Sequence, residues 1–446
     1  MKPTRTEISA ISSYHVSNEL PAIQSLVEQA KSLYHETYTD NDDLLCTVAP
    51  GRVNLIGEHT DYTQGFVFPM AIEFSTVCVG KGTIVAEGEA ECKVISVNTS
   101  PPKDITFKSS NEMKPLPTSN PDCWSNYVAG VVNEYMKVLP AKTSVSFEIA
   151  ICGDVPLGSG LSSSAALEVA VATFLEAIIS KTFPEIDMGG KKQKALRCQR
   201  AENVFCQSPC GIMDQFVSSA ACEGSAILID CRSLEIESVA MGSLGDAESE
   251  EKPVFLICNS NVKHSIGGGE YPVRVKQCAD ATEILQLCYG DKIGSLRDAT
   301  SEDVELAHKK RKNGGSSLMD ALLHRRAKHV VTENERTTEA KFALINGDWK
   351  LFGRKMNESH ESMKVDYEVS CGEIDFLAET AQTFDGVYGS RLTGGGFGGC
   401  TVTLVKRSRV EALSEHLKAE YKSRWGMECS CFETVPGAGA RELSLE

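Results

Sequence analysis

DVPLGSGLSSSAALEVAVATFLE, Asp154 to Glu176, is the stretch that decides the fold. Before it, SVSFEIAICG alternates apolar and polar residues as a strand does; after Ser162, Ala, Leu, Val and Phe recur at helical spacing. A strand therefore runs through a turn into a helix. Gly158 and Gly160 remove the Cβ atoms that would keep a ligand from the backbone, and Ser162, Ser163 and Ser164 fall where a helix N-cap is expected. Unpaired amides and the positive end of the helix dipole then converge, which is an anion site. A Gly-Ser turn that merely caps a helix needs fewer glycines and hydroxyls. A Walker A loop, GxxxxGK[ST], is absent, so the phosphate chemistry belongs to another class.

Composition bounds the alternatives. The chain has 446 residues, enough for two or three domains, with 41% hydrophobic and 24% charged residues, the balance of a globular protein. Lys and Arg number 45 against 61 Asp and Glu, a net charge of -16 that disfavours nucleic acid. No stretch approaches 18 consecutive apolar residues and no signal-peptide pattern opens the sequence, so a cytoplasmic protein without a membrane span is expected. The 17 cysteines are odd in number and irregularly spaced; Cys429 and Cys431 flank a single Ser, and no paired CxxC set marks a zinc site. Incidental thiols in a reducing compartment are the simplest reading. Gly242 to Pro253 is small and acidic and reads as a linker; VFLICNSNV beyond it reads as a buried strand. ALLHRRAKHVVTENERTTEAKFALI has helical spacing with alternating charge and reads as a solvent-facing helix.

Outward from the serine loop, two further Gly-rich segments carry chemistry, and between them lies an aspartate that on its own reads as an N-cap or surface residue. In GRVNLIGEHTDY, Arg52, Glu58, His59 and Asp61 crowd a Gly-punctuated loop, a composition that fits an exposed polar turn and equally the mixture of donors and acceptors that several sugar hydroxyls require. CGIMDQF contains Asp214, and GSRLTGGGFGGCTVTL places five glycines between Gly394 and Gly399. So many glycines cost more backbone entropy than a simple turn justifies.

PLGSGLSSSAA resembles the phosphate-binding motif of the GHMP kinases, and GRVNLIGEHTDY resembles the signature of the galactokinase branch of that superfamily. The similarity runs in family order from APGRVNLIGEH to GGCTVTLV. It implies an α+β, two-lobed GHMP kinase fold, with a ribosomal protein S5 domain 2-like N-terminal lobe over 1–245 and a GHMP C-terminal lobe over 246–446. It implies ATP and galactose as substrates, Mg²⁺ as cofactor, and transfer to the C1 hydroxyl. Gly158, Gly160, Ser162, Ser163 and Ser164 are then expected at the nucleotide, and Ser164 and Glu202 at the metal. Arg52, Glu58, His59, Asp61, Asp214 and Tyr271 (in HSIGGGEYPVR) are expected at the sugar, with Asp214 as base and Arg52 as its catalytic cation. The family's usual Asn after DY is Thr63 here. An N-acetylgalactosamine kinase and a non-catalytic galactose sensor share much of the pattern, although the intact Ser162–Ala166 run argues against the sensor. A monomer or weak homo-oligomer is expected, without nucleic-acid or membrane partners.

Overall fold

The computed structural model describes residues 14–38, 43–110, 113–241, 252–263, 270–310 and 317–445. Most of the expected linker and His264 to Gly269 lie outside them. The strands are β1 (Tyr14–His15), β2 (Leu45–Asn54), β3 (Phe66–Val67), β4 (Pro69–Val85), β5 (Ala90–Ser96), β6 (Ile105–Ser109), β7 (Ser144–Gly153), β8 (Ser225–Asp230), β9 (Glu235–Ala240), β10 (Pro253–Lys263), β11 (Val387–Thr393), β12 (Gly398–Lys406), β13 (Ser430–Thr434) and β14 (Arg441–Ser444). The helices are α1 (Pro21–Thr37), α2 (Asn126–Met136), α3 (Ser163–Thr182), α4 (Gly190–Arg200), α5 (Met213–Ala220), α6 (Glu270–Tyr289), α7 (Ser301–Lys309), α8 (Ala321–Ile345), α9 (Trp349–Ser362), α10 (Gly372–Gln382) and α11 (Val410–Trp425).

The large sheet has the order β1-β14-β2-β4-β7-β5-β6. β2 shows why it is covered on both faces. Alternate residues of a strand point to opposite sides: Cys46 and Val48 join Leu26, Val27 and Ala30 of α1, while Leu45 and Ala49 join Val169, Ala170 and Phe174 of α3. Thr47 lies on the α3 side, and its hydroxyl donates to the Ala170 carbonyl at 3.0 Å. The apolar run of β2 is thus a two-sided core strand rather than a half-exposed one. α3 is long and apolar enough to cross a membrane by composition alone, yet 67% of its apolar window is buried inside the protein.

A second sheet, β11-β12-β10-β13, organises the C-terminal lobe, and a small sheet, β3-β8-β9, lies beside the first. The lobes share a core: Val53, Leu55, Ile56, Phe68 and Met70 pack with Phe255, Ile257, Phe352, Val402 and Leu404. The expected boundary near 245 falls outside the described residues. The chain also crosses back, because β14 pairs antiparallel with β2 in the first sheet, so the last strand belongs structurally to the N-terminal lobe. VFLICNSNV is the predicted strand, within β10. The solvent-facing reading of ALLHRRAKHVVTENERTTEAKFALI is corrected by α8: Arg326, His329, Glu333, Asn334 and Thr337 are buried along one side. Their polarity misled the reading because Arg326, His329, Glu333 and Asn334 have partners elsewhere in the fold, while the Thr337 hydroxyl bonds back to Glu333 O of the same helix.

Candidate active site

β2 breaks register between Pro50 and Arg52, which carries the strand onto the serine loop: Arg52 N donates to Leu161 O at 3.1 Å. The Arg52 side chain, 4% exposed, then meets Asp214 in the first turn of α5. Nε reaches Oδ1 and Nη2 reaches Oδ2, both at 2.8 Å, a bidentate fork with fixed direction. Nη1 donates to the Gly160 carbonyl. Arg52 therefore ties the carboxylate of α5 to the loop preceding α3. Ser162 occupies the N-cap position of α3 with φ of 64°, but its hydroxyl does not cap the helix. It donates to Asp214 Oδ2.

Asp61 sits beside this pair. A Cβ on residue 211 would fall 1.5 Å from Asp61 Oδ2, so only glycine lets the GIMDQ segment approach. Burial, reinforced by the Asp214 charge, pushes the Asp61 carboxyl up to about 7. Burial pulls His59 down to about 3, so its imidazole is neutral. Its Nε2 faces the Gly395 carbonyl at 3.3 Å and its Nδ1 faces Tyr62 Oη at 2.9 Å. A carbonyl only accepts, so we assign the proton to Nε2, leaving Nδ1 to accept from Tyr62. The Tyr271 ring lies 5.8 Å from that of His59 and 5.2 Å from that of Tyr62. The structure thus brings Arg52, His59, Asp61, Asp214 and Tyr271 together, from β2, the signature loop, α5 and α6.

Glu58 has a further duty. Its Oε1 accepts from Gly394 N at 2.7 Å and lies 3.4 Å from Arg391 Nη2. Burial raises its carboxyl against the lowering effect of Arg391. The Glu58 side chain thereby joins the signature loop to the third glycine loop. That loop also meets the serine loop: a Cβ on Gly394 would lie 2.7 Å from Gly160 O. The backbones are in direct contact.

Residues that sequence reasoning missed hold this arrangement in place. Glu333 of α8 accepts from Gly57 N at 2.9 Å, Glu58 N at 3.3 Å and Ser359 Oγ at 2.7 Å. Burial opposes its ionisation, but Arg336, His329 and Arg391 prevail and hold it down to about 2. Arg391, 0% exposed, donates to Asn54 O at 2.9 Å. A charged residue in the apolar strand Val387–Thr393 was a usable signal for Arg391; nothing local marked Glu333.

On the other side of Asp214, Glu202 is buried in a π-helical turn (Ala201–Phe205) rather than exposed. Gln215 Nε2 donates to Glu202 Oε2 at 2.7 Å and to Glu168 Oε2 at 3.1 Å. Burial raises both carboxyls, the Asp214 charge adds to the rise at Glu202, and the Ser164 hydroxyl bonded to Glu202 works against it. Glu168 was also missed, although it lies four residues after Ser164, on the same face of an otherwise apolar helix. Next to Ser163 and Ser164 opens a cavity of about 280 Å³ lined by Trp124, Tyr127, Ile151, Val155, Leu157 and Leu167. An apolar slot beside a helix N-terminus suits a purine whose phosphates reach the serine loop.

Known proteins resemble the chain along most of its length. Residues 32–81 match the galactokinase galactose-binding signature, 126–222 the GHMP kinase N-terminal domain and 341–423 the GHMP kinase C-terminal domain. Galactokinase of Homo sapiens is 43% identical over 425 residues, 95% of this chain and 98% of its own length. The chain belongs to the galactokinase family. The Bos taurus galactokinase is 42% identical over 405 residues, covering 91% of this chain and 94% of that one. The crystal structure of Lactococcus lactis galactokinase complexed with galactose superposes with a TM-score of 0.81 at 31% identity, over 95% of this chain and 100% of that one. As a galactokinase-family kinase, the chain has the GHMP fold and uses ATP.

Proposed function

We propose that the chain transfers the γ-phosphoryl group of ATP to the C1 hydroxyl of galactose, giving galactose 1-phosphate. The observation that carries this reading is the Arg52–Asp214 fork, set between the serine loop and the Asp61–His59–Tyr271 cluster. The sugar lies on the cluster side, where Asp61, His59 and Tyr271 offer acceptors and donors to its hydroxyls. Asp214 takes the proton from the anomeric hydroxyl, a weak nucleophile, as the new P–O bond forms. Arg52 holds the carboxylate in the line of attack and offsets charge as it develops on the phosphoryl oxygens. ATP lies with its purine in the apolar cavity and its phosphates at the amides following Gly160.

The residues present fit Mg²⁺. Ser164 and Glu202 are hard oxygen donors in mutual contact. Beside them, Glu168 Oε1 and Gln215 Oε1 are buried without a hydrogen-bond partner. Two buried carboxylates that share one amide offer further oxygens to a hard cation. Bound there, the ion would neutralise phosphate charge and orient the triphosphate. All 17 cysteines are free thiols, which supports the cytoplasmic setting we include in the proposal.

ADP release measured with galactose, glucose, N-acetylgalactosamine and no sugar tests the assignment. Galactose should exceed glucose in kcat/KM by roughly 10⁴-fold, because a misplaced C4 hydroxyl leaves buried polar groups unpaired. Comparable rates for glucose, or preference for the N-acetyl sugar, would overturn it.

A further inference from the structure

Most of the thiols are scattered through the core, but three are not. Cys431 lies on β13 and Cys429 immediately precedes that strand, and residues two apart on an extended chain share a face. β10 sets Cys258 directly opposite Cys431 in the antiparallel register, with the sulfurs 3.2 Å apart. All three sulfurs lie within 4.8 Å of one another. Cys258 and Cys429 are buried, Cys431 is half-buried, and Leu413, Leu417 and Tyr421 of α11 share their apolar cluster. Two hydrogen bonds pin the segments that make the cluster: Tyr421 Oη to Ser260 O at 3.0 Å, and Asn261 Nδ2 to Glu428 O at 2.9 Å.

We propose that Cys258, Cys429 and Cys431 form a three-thiolate site for one soft d¹⁰ cation, zinc or copper(I), separate from the ATP and sugar sites. Thiolates about 2.3 Å from a common ion and coplanar with it lie about 4 Å apart, a separation these sulfurs reach with small side-chain rotations. Sulfur ligands in an apolar shell select soft ions over magnesium. Three suffice for trigonal copper(I); zinc takes a fourth ligand from solvent on the half-buried Cys431 side. Each thiol loses its proton to solvent as it coordinates, so no oxidant or reductant is consumed. The C-S-C spacing looked unlike a metal motif because the remaining ligand comes from a strand far upstream. The site also stands at the root of the third glycine loop. From Cys258 the strand passes Asn259, paired with Cys400, to Ser260, whose hydroxyl donates to Gly399 O at 2.8 Å.

The test uses the whole chain, kept reduced with a phosphine, stripped with a chelator and then titrated with zinc. Native mass spectrometry should show one retained ion per chain, and the thermal midpoint should rise with zinc by mass action. Cadmium, as a spectroscopic probe, should give a thiolate charge-transfer band. Cys429→Ser and Cys431→Ser should each abolish retention and the band, while Cys222→Ser, which removes an exposed thiol, should leave both intact. Unchanged circular dichroism will show that the variants fold, and a variant that does not fold is replaced by the other. The proposal fails if the wild type retains no ion. It fails equally if the Cys429 and Cys431 variants bind as the wild type does. A Cys258–Cys431 disulfide mapped in protein purified without oxidant would also overturn it, making the cluster a redox pair.

Discussion

The serine loop at 158–164 is held mostly within its own lobe, by the helix it begins and by Arg52 and Asp214, and touches the third glycine loop at Gly394, whereas the signature loop at 51–62 is held by the opposite lobe. On the nucleotide side, Gly160, Ser162, Ser163 and Ser164 adjoin α3, and the cavity beside them is walled by β4, β7 and α2 of the same lobe. On the sugar side, the amides of Gly57 and Glu58 are held by Glu333, some 276 residues downstream, and Glu58 is held by Arg391 and Gly394. The first half is an anion site that local sequence makes. The second is a polar loop in the shared core, where the Gly57 and Glu58 amides and the Glu58 carboxylate take their partners from distant parts of the chain. Damage to the framework should therefore reach the sugar side and spare the nucleotide side.

Glu333→Ala gives the largest expected effect. It strips Gly57 N, Glu58 N, Ser359 and Arg336 of their partner and leaves the arginine partly buried and uncompensated, at a cost of roughly 3–5 kcal/mol. The thermal midpoint should fall steeply, and surviving folded protein should lose galactose affinity more than affinity for an ATP analogue. Equal losses on both sides would break the comparison. Because the Glu333 carboxyl is held below its unfolded value, its contribution is complete above pH ~4.5 and fades as pH falls toward 2.

Asp214→Asn sits between the halves. The amide keeps the shape but cannot take a proton, so kcat should fall by about 10²-fold or more. Galactose affinity by calorimetry should change far less. Arg52→Ala should also lower kcat, and the double variant should be strongly non-additive because the two groups act as one unit. A near wild-type rate for the Asn variant would reduce Asp214 to a positioning group.

Trp124→Ala tests the nucleotide half alone. Removing a large aromatic wall from the cavity should raise the KM for ATP by about tenfold, a typical 1–2 kcal/mol for an aromatic contact with a base. The KM for galactose should stay put. If it moves as much, the two halves are coupled more tightly than the geometry implies.

What could be read from the sequence follows the same division. The strand, serine turn and helix at 144–182 were legible because propensity, glycine placement and periodicity all act within a few residues. Arg52, His59, Asp61, Asp214 and Tyr271 came from resemblance and the structure brings them together, and no local pattern announced the Ser162 bond to Asp214. α8 was misread as solvent-facing since Arg326, His329 and Glu333 look like surface residues until their partners across the fold are known. The return of β14 to the first sheet and the convergence of Cys258 with Cys429 and Cys431 are pairings between distant strands. No local pattern encodes them.

The subtlest expectation concerns Asp61, where both halves meet. Its carboxyl is raised to about 7 by burial and by the nearby Asp214 charge. A raised acid favours the folded state most fully below its unfolded value near 3.8, and this contribution is lost as pH rises through 7. Above that pH the buried carboxylate is charged and short of donors, and sugar hydroxyls can supply them. Galactose should therefore bind more tightly as pH rises through about 7, by a factor of a few to ten, since one pKa unit corresponds to about 1.4 kcal/mol. Calorimetry across pH 5.5 to 8.5 measures it directly (a range on the order of one and a half units either side of the transition). Asp61→Asn should flatten the profile, whereas Trp124→Ala should keep it. Arg52→Ala should move the inflection upward, because the Asp214 charge would no longer be offset. A profile that stays equally steep in the Asp61 variant would assign the proton to another group and remove Asp61 from the charge balance of the sugar side.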